Sequence, residues 1–341
     1  MNKTNPTIGV FDSGFGGLTV LRALLPLVPG AHYIYLGDTA RLPYGSKSRE
    51  TITRYALSSA RFLANQGADL LVIACNTATA LSLPDIQHSL PIPVIGVIQP
   101  GAQSAKNQST ITPKSSDPTS KQSTNKEEKS VILSGADRAL AGNVSDSSNK
   151  VKSVILSEGG ASAAVVEGPA VAPIHLQSLQ SGPNPHVLVL ATAATIQSHA
   201  YLAALNALGL PATEKACPLL VPLVEEGWID HPVTAEVLRI YLLEALAEAP
   251  RASTLLLGCT HYPLLKPLIE TTLHNLHHPM RIIDSAEATA RAVAAHLPIT
   301  ASTEAPTCTF YATDSIEKFH RLGTNFLGQP LNAVHLLDLG G

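Results

Sequence analysis

Seven short runs of the chain are apolar almost throughout: TIGVF (7–11), YIYLG (33–37), ADLLVIA (68–74), PVIGV (93–97), HVLVLA (186–191), STLLLG (253–258) and RIID (281–284). A strand with one wet face alternates apolar and polar residues, so runs like these need cover on both faces. Helical patterns between them can supply it, at 17–27, 48–65, 78–89, 196–208, 233–247 and 286–296, several closing near Pro or Gly. The alternation predicts an α/β protein on doubly wound parallel sheets. A length of 341 residues, 45% of them hydrophobic, predicts two such sheets, each with its own core.

Charge excludes one class of partner. The 26 acidic and 23 basic residues are spread along the chain and leave a net −3, so the basic face that a nucleic acid requires is missing. No apolar run approaches the roughly 18 residues of a membrane span, and the opening MNKTNPTIGVF has no secretory pattern. The expectation is a cytoplasmic protein with no membrane partner. Its four cysteines, Cys75, Cys217, Cys259 and Cys308, are scattered and form no CxxC pair, so reduced thiols are expected.

Between 103 and 185 the composition shifts to Ser, Lys, Asn, Asp, Gly and Pro with few aromatics. Such a segment cannot bury enough apolar surface to offset its ordering entropy, and the expectation is a long, mostly disordered insertion. Within it KSVILSGA (129–136) nearly recurs as KSVILSEGGA (152–161), which a duplication in a loop free to drift would explain.

In a parallel α/β sheet, ligands bind beyond the carboxyl ends of the strands, where helix N-termini present free N–H groups. Those positions here hold Asp12-Ser13 with the glycines of SGFGG, then Asp38, Tyr44 and Gly45. Further along come Cys75-Asn76-Thr77, Thr192 with Thr195, and Cys259-Thr260-His261. Hydroxyls, amides and helix N-termini suit a small carboxylate ligand. Two thiols that are not joined suit stereochemical inversion by two bases: one thiolate removes a proton from a carbon, and the other thiol protonates the opposite face. Asp12 would handle the proton near Cys75, and His261 the one near Cys259.

Each of these residues has a plainer reading. A single buried cysteine is more often a small core hydrophobe. It is the matched strand-end settings of Cys75 and Cys259, each expected at a helix N-terminus, that favour chemistry; Cys217 and Cys308 lack that setting and are expected to be structural. Asp12 alone would suit a helix N-cap. Glu225 and Glu226 would by default face solvent. Cys259 and His261 as metal ligands would lack a third and fourth partner of recognisable spacing, so no metal is expected. The SGFGG glycines fall short of a dinucleotide fingerprint, and a tight turn toward a carboxylate explains them as well.

Taken together, VFDSGFGGLTVL, YLGDTARLPYG, VIACNTATA, PVIGVIQPGA, CPLLVPLVEEG, LLLGCTHYPLL and IIDSAEATA resemble glutamate racemase, of the aspartate/glutamate racemase superfamily. The resemblance covers nearly all of 7–102 and of 186 to about 297, and not the insertion. It implies a cofactor-independent isomerase that interconverts L- and D-glutamate for peptidoglycan synthesis, without pyridoxal phosphate. It implies Cys75 and Cys259 as the two acid/base residues, with Asp12, His261 and Glu225 assisting. Asp12, Ser13, Tyr44, Gly45, Asn76, Thr77, Thr195, Thr260 and His261 fall on substrate-contacting positions, and Asp38 lies near the site.

The family architecture implies one domain from 1–98 with 282–341 and a second from 99–281. The site would lie in the cleft between them, with one cysteine from each, in a homodimer. Two departures stand out: about eighty residues intervene where the family has a short connection, and Ala191-Thr192-Ala193-Ala194-Thr195 lacks glycines common around those threonines. The competing readings are a racemase of aspartate or another small acidic amino acid, against which His261 argues because the aspartate enzymes tend to carry glutamate there, and a non-catalytic regulatory binding protein.

Overall fold

A computed structural model describes residues 5–109, 185–297 and 303–340. The chain runs β1 (Thr7–Asp12), α1 (Leu18–Leu24), β2 (His32–Gly37), α2 (Arg49–Asn65), β3 (Leu70–Ile73), α3 (Asn76–Ser89), β4 (Val94–Gly96) and α4 (Ile98–Ser109). It resumes with β5 (His186–Ala191), α5 (Ala193–Gln197), α6 (Ala200–Ala207), β6 (Ala212–Ala216), α7 (Leu220–Glu225), α8 (Pro232–Glu248), β7 (Ala252–Gly258), α9 (Lys266–Asn275) and β8 (Arg281–Asp284). The last elements are α10 (Ser285–His296), β9 (Thr307–Ala312), α11 (Ile316–Leu327) and β10 (Val334–Leu336).

The strands form two sheets whose described pairings are all parallel, ordered β10-β9-β2-β1-β3-β4 and β6-β5-β7-β8. The four-strand order β2-β1-β3-β4 of the first sheet is repeated as β6-β5-β7-β8 in the second. In each, the first strand is central, the second lies on one side and the third on the other. The strand order therefore reverses between β1 and β3, and again between β5 and β7, which are the crevices where doubly wound sheets bind ligands.

Apolar residues fill both faces of the central strands, as the sequence predicts. Along β1 and β3, Ile8, Val10, Leu70 and Val72 join a core shared with β5, β7, α1 and α10. Their neighbours Phe11, Leu71 and Ile73 point the other way, into a second core with α2 and α3. This period of two is the pleat, with each face covered by helices. The exception is β6, ATEKA, half-buried along its whole length at a sheet edge; an edge strand tolerates Glu214 and Lys215, and so leaves no apolar signature.

Three expected boundaries shift. Composition starts the insertion at 103, but helix α4 continues through Ser109; the rest of that expectation, with the 129–136 and 152–161 repeat, lies outside the described residues. The expected return to the first domain at 282 comes too early. Strand β8 pairs with β7, so 282–284 belong to the second sheet and the chain rejoins the first only with β9. Helix α3, expected from 78, starts at Asn76, because Cys75 itself is the N-cap, its Sγ accepting from the Ala78 N–H at 3.4 Å.

Candidate active site

The carboxyl ends of β1, β3, β5 and β7 deliver one side chain after another to a common region. Asp12 closes β1 and is buried; its Oδ2 accepts from the Gly14 N–H at 2.9 Å, and its Oδ1 has no partner among the described residues. Burial raises its pKa, opposed by the charge of His261 and by backbone N–H groups of the turn.

The glycines after Asp12 are required by close approach. A Cβ on Gly16 would run into the Thr260 hydroxyl and lie 2.7 Å from the His261 ring, and one on Gly17 would lie 2.5 Å from the Asp12 Cβ. The turn is further tied to the second sheet by the Thr19 hydroxyl, which donates to the Thr260 carbonyl at 3.0 Å.

Cys75 and Cys259 are each only 5% exposed. The Cys75 thiol donates toward Ser13 Oγ at 3.5 Å. Asp12, expected beside it, acts on Cys75 through its charge rather than a hydrogen bond: burial first and the Asp12 carboxylate second push the thiol up to about 11. Cys259 is raised further still, by burial and by the charges of Cys75 and Asp12. A charge on Cys75 thus opposes one on Cys259, which favours a state with at most one thiolate. Cys75 has the helix N-terminus expected of it; Cys259 does not, since only a short 3-10 turn, Tyr262–Leu265, precedes α9.

His261 Nδ1 lies 4.0 Å from Cys259 Sγ and 3.4 Å from Thr260 Oγ1, while its Nε2 is 3.3 Å from Glu225 Oε1. The Phe326 ring meets it edge-on at 4.9 Å. Glu225 also accepts from Lys318 Nζ at 3.2 Å. Burial raises the Glu225 pKa, but His261 and Lys318 outweigh it and hold the carboxyl below its ordinary range. Glu226 is exposed and takes no part. Lys318, on α11, is a residue that sequence reading missed: it sits in a helix with an ordinary amphipathic pattern, far along the chain from Glu225.

On the Cys75 side, the hydroxyls of Thr77, Thr192 and Thr195 form a triangle with edges of 3.1, 3.2 and 3.0 Å. The structure brings both Thr192 and Thr195 to the site, at the N-terminus of α5. A Cβ on Gly45 would lie 3.7 Å from Thr192, so that turn faces the triangle.

Asn76 is buried with Nδ2 unpartnered, and its Oδ1 accepts from the Tyr201 hydroxyl at 2.6 Å. A buried donor without a partner costs about 1–3 kcal/mol. Asn76 Nδ2 and Asp12 Oδ1 are therefore groups waiting for a ligand with both an acceptor and a donor. Two expected residues are engaged elsewhere: the Tyr44 hydroxyl donates to Asp38 Oδ2 at 2.6 Å, and Asp38 also accepts from Thr313 at 3.0 Å and pairs with Arg41 at 3.6 Å. With its hydrogen on Asp38, the Tyr44 hydroxyl can only accept from a ligand.

Comparison with known proteins agrees with this geometry. Residues 8–114 match the family model described as Asp/Glu/Hydantoin racemase. Over the full length of both chains the protein is 41% identical to a glutamate racemase of Koribacter versatilis, and over 97% of its length it is 36% identical to one of Geobacter metallireducens, covering 96% of that protein. Among solved structures it resembles glutamate racemase from Thermus thermophilus in complex with β-chloro-D-alanine (32% identity, 99% of each chain, TM-score 0.69). It also resembles the Francisella tularensis enzyme in complex with D-glutamate (27%, 99% of each chain, TM-score 0.70).

Proposed function

The chain belongs to the glutamate racemase family, and on that premise we propose that it interconverts L- and D-glutamate by transferring protons at the α carbon between Cys75 and Cys259. One observation carries the reading: two buried thiols stand at the corresponding switch points of two sheets with the same strand order, β3 beside β1 and β7 beside β5.

The substrate's charges match what surrounds the thiols. Its α-carboxylate meets donors at Asn76 Nδ2 and the threonine triangle, and its ammonium meets Asp12. The incoming ammonium also offsets the negative charge that holds both thiols protonated, so substrate binding itself favours the first thiolate, its proton passing to water. That thiolate takes the α-proton and becomes a thiol, leaving an electron pair delocalised into the carboxylate. The opposite thiol then gives its proton to the other face and becomes a thiolate. One proton leaves and one arrives, and the reverse turnover or exchange with water resets the pair.

His261, oriented by Glu225, serves the Cys259 side, and Asp12 serves the Cys75 side. Neither pyridoxal phosphate nor a metal has a step in this scheme. We further propose that the D-glutamate formed supplies peptidoglycan in the cytoplasm and that the enzyme is a homodimer. No helix among the described residues is long and apolar enough to cross a membrane.

Circular dichroism of L-glutamate incubated with the purified protein, chelator present and no cofactor added, tests the reaction. Decay of the optical signal to zero is expected. Decay with L-aspartate instead would move the activity to that substrate, and silence with both would overturn the assignment.

A further inference from the structure

Tyr201 lies on α6, in the second half of the chain, and is fully buried. Its ring is seated against two glycines: a Cβ on Gly258 would lie 2.8 Å from the ring Cε2, and one on Gly101 would lie 3.5 Å from Cε1. Gly258 is the residue immediately before Cys259. The hydroxyl, at the same end of the ring, donates to Asn76 Oδ1 at 2.6 Å, and Asn76 is the residue immediately after Cys75. A single rigid side chain thus spans from the strand that carries one thiol to the helix N-terminus that carries the other.

A primary amide can be turned end for end, and here its two ends differ in surroundings. Asn76 Oδ1 takes the Tyr201 hydrogen, and Asn76 Nδ2 is buried with no partner. With the Tyr201 hydrogen on Oδ1, the amide oxygen is turned to the protein and the N–H groups are left for whatever occupies the site; the same hydroxyl, which can accept as well as donate, also meets Ser285. Gly258 is the complement to this arrangement, since any side chain there would displace the ring from its seat.

We infer that Tyr201 is a positioning residue for substrate binding: it holds the Asn76 amide with its N–H groups toward the substrate carboxylate, from a ring seated on Gly258. The inference rests on the proposed function, in which Asn76 binds substrate. Tyr201 touches no reacting atom, so its effect belongs in binding more than in the chemical step.

The test is a double-mutant cycle of Y201F and N76A, with KM and kcat for L- and D-glutamate and thermal melting measured on all four proteins. Y201F removes one oxygen and keeps the ring in its seat. It is expected to raise KM about tenfold, the size of one hydrogen bond's contribution, with kcat changed less than about threefold. On top of N76A it should add nothing.

Y201F with a wild-type KM beside an impaired N76A would overturn the role of Tyr201 alone. Losses that multiply in the double variant would overturn it too, because Tyr201 would then act independently of Asn76. A wild-type KM in N76A would instead remove the substrate contact on which the inference stands. A loss in Y201F confined to kcat and melting temperature would make Tyr201 a structural residue and also refute the proposal.

Discussion

At the scale of single residues, the proposed chemistry turns on two thiols that burial makes poor acids. Cys75 is pushed to about 11 and Cys259 is raised by burial, by Asp12 and by Cys75 itself. A serine hydroxyl in either place would ionise far less readily than a thiol. Each direction of turnover needs one base and one acid, so C75S and C259S should each lower kcat by about 10³-fold, within the range for loss of a positioned acid or base. Circular dichroism against both glutamate enantiomers reads this. A single serine variant that retained wild-type racemisation in both directions would remove the two-thiol mechanism.

At the scale of elements, the glycine turn between β1 and α1 packs directly against Thr260 and His261 beyond β7, and a methyl group tests it. G16A would force a Cβ into the Thr260 hydroxyl and within 2.7 Å of the His261 ring, and neither can retreat far because the Thr260 carbonyl is tied to Thr19 and His261 is packed on Phe326. Overpacking of this kind costs about 1–3 kcal/mol. G16A should melt several degrees lower and lose activity by displacing His261; a variant with unchanged melting and unchanged kcat would show that the turn has room to spare. The elements themselves were largely legible in the sequence. Apolar runs marked β1, β3, β5 and β7, and the residues just after them placed Asp12, Cys75, Thr192 and Cys259 at one site. What escaped was polar or remote: β6 carries Glu and Lys because an edge strand can, and Tyr201 and Lys318 meet Asn76 and Glu225 across 125 and 93 residues of chain. Their environment is made by tertiary packing, which no local pattern encodes.

At the scale of the whole molecule, both thiols are buried, and residues from the two halves of the chain meet around them, as in the Thr77–Thr192–Thr195 triangle and the Tyr201–Asn76 bond. An alkylating reagent meets two obstacles at Cys75: the thiol is only 5% exposed, and only the thiolate reacts. A pKa near 11 against an ordinary 9.0 leaves about a hundredfold less thiolate at neutral pH. In the ligand-free protein, iodoacetamide should therefore modify Cys75 at least about a hundredfold more slowly than a free thiol, as read by mass spectrometry of the Cys75 peptide. The sign of the pH dependence follows from the raised value: below about 11 the thiolate fraction grows tenfold for each unit of rising pH, so the rate should climb steadily from about pH 7 to 9, and D-glutamate should protect by occupying the site. Modification as fast as a free thiol, or a rate that levels off within that range, would mean that Cys75 is neither shielded nor raised as its buried setting requires.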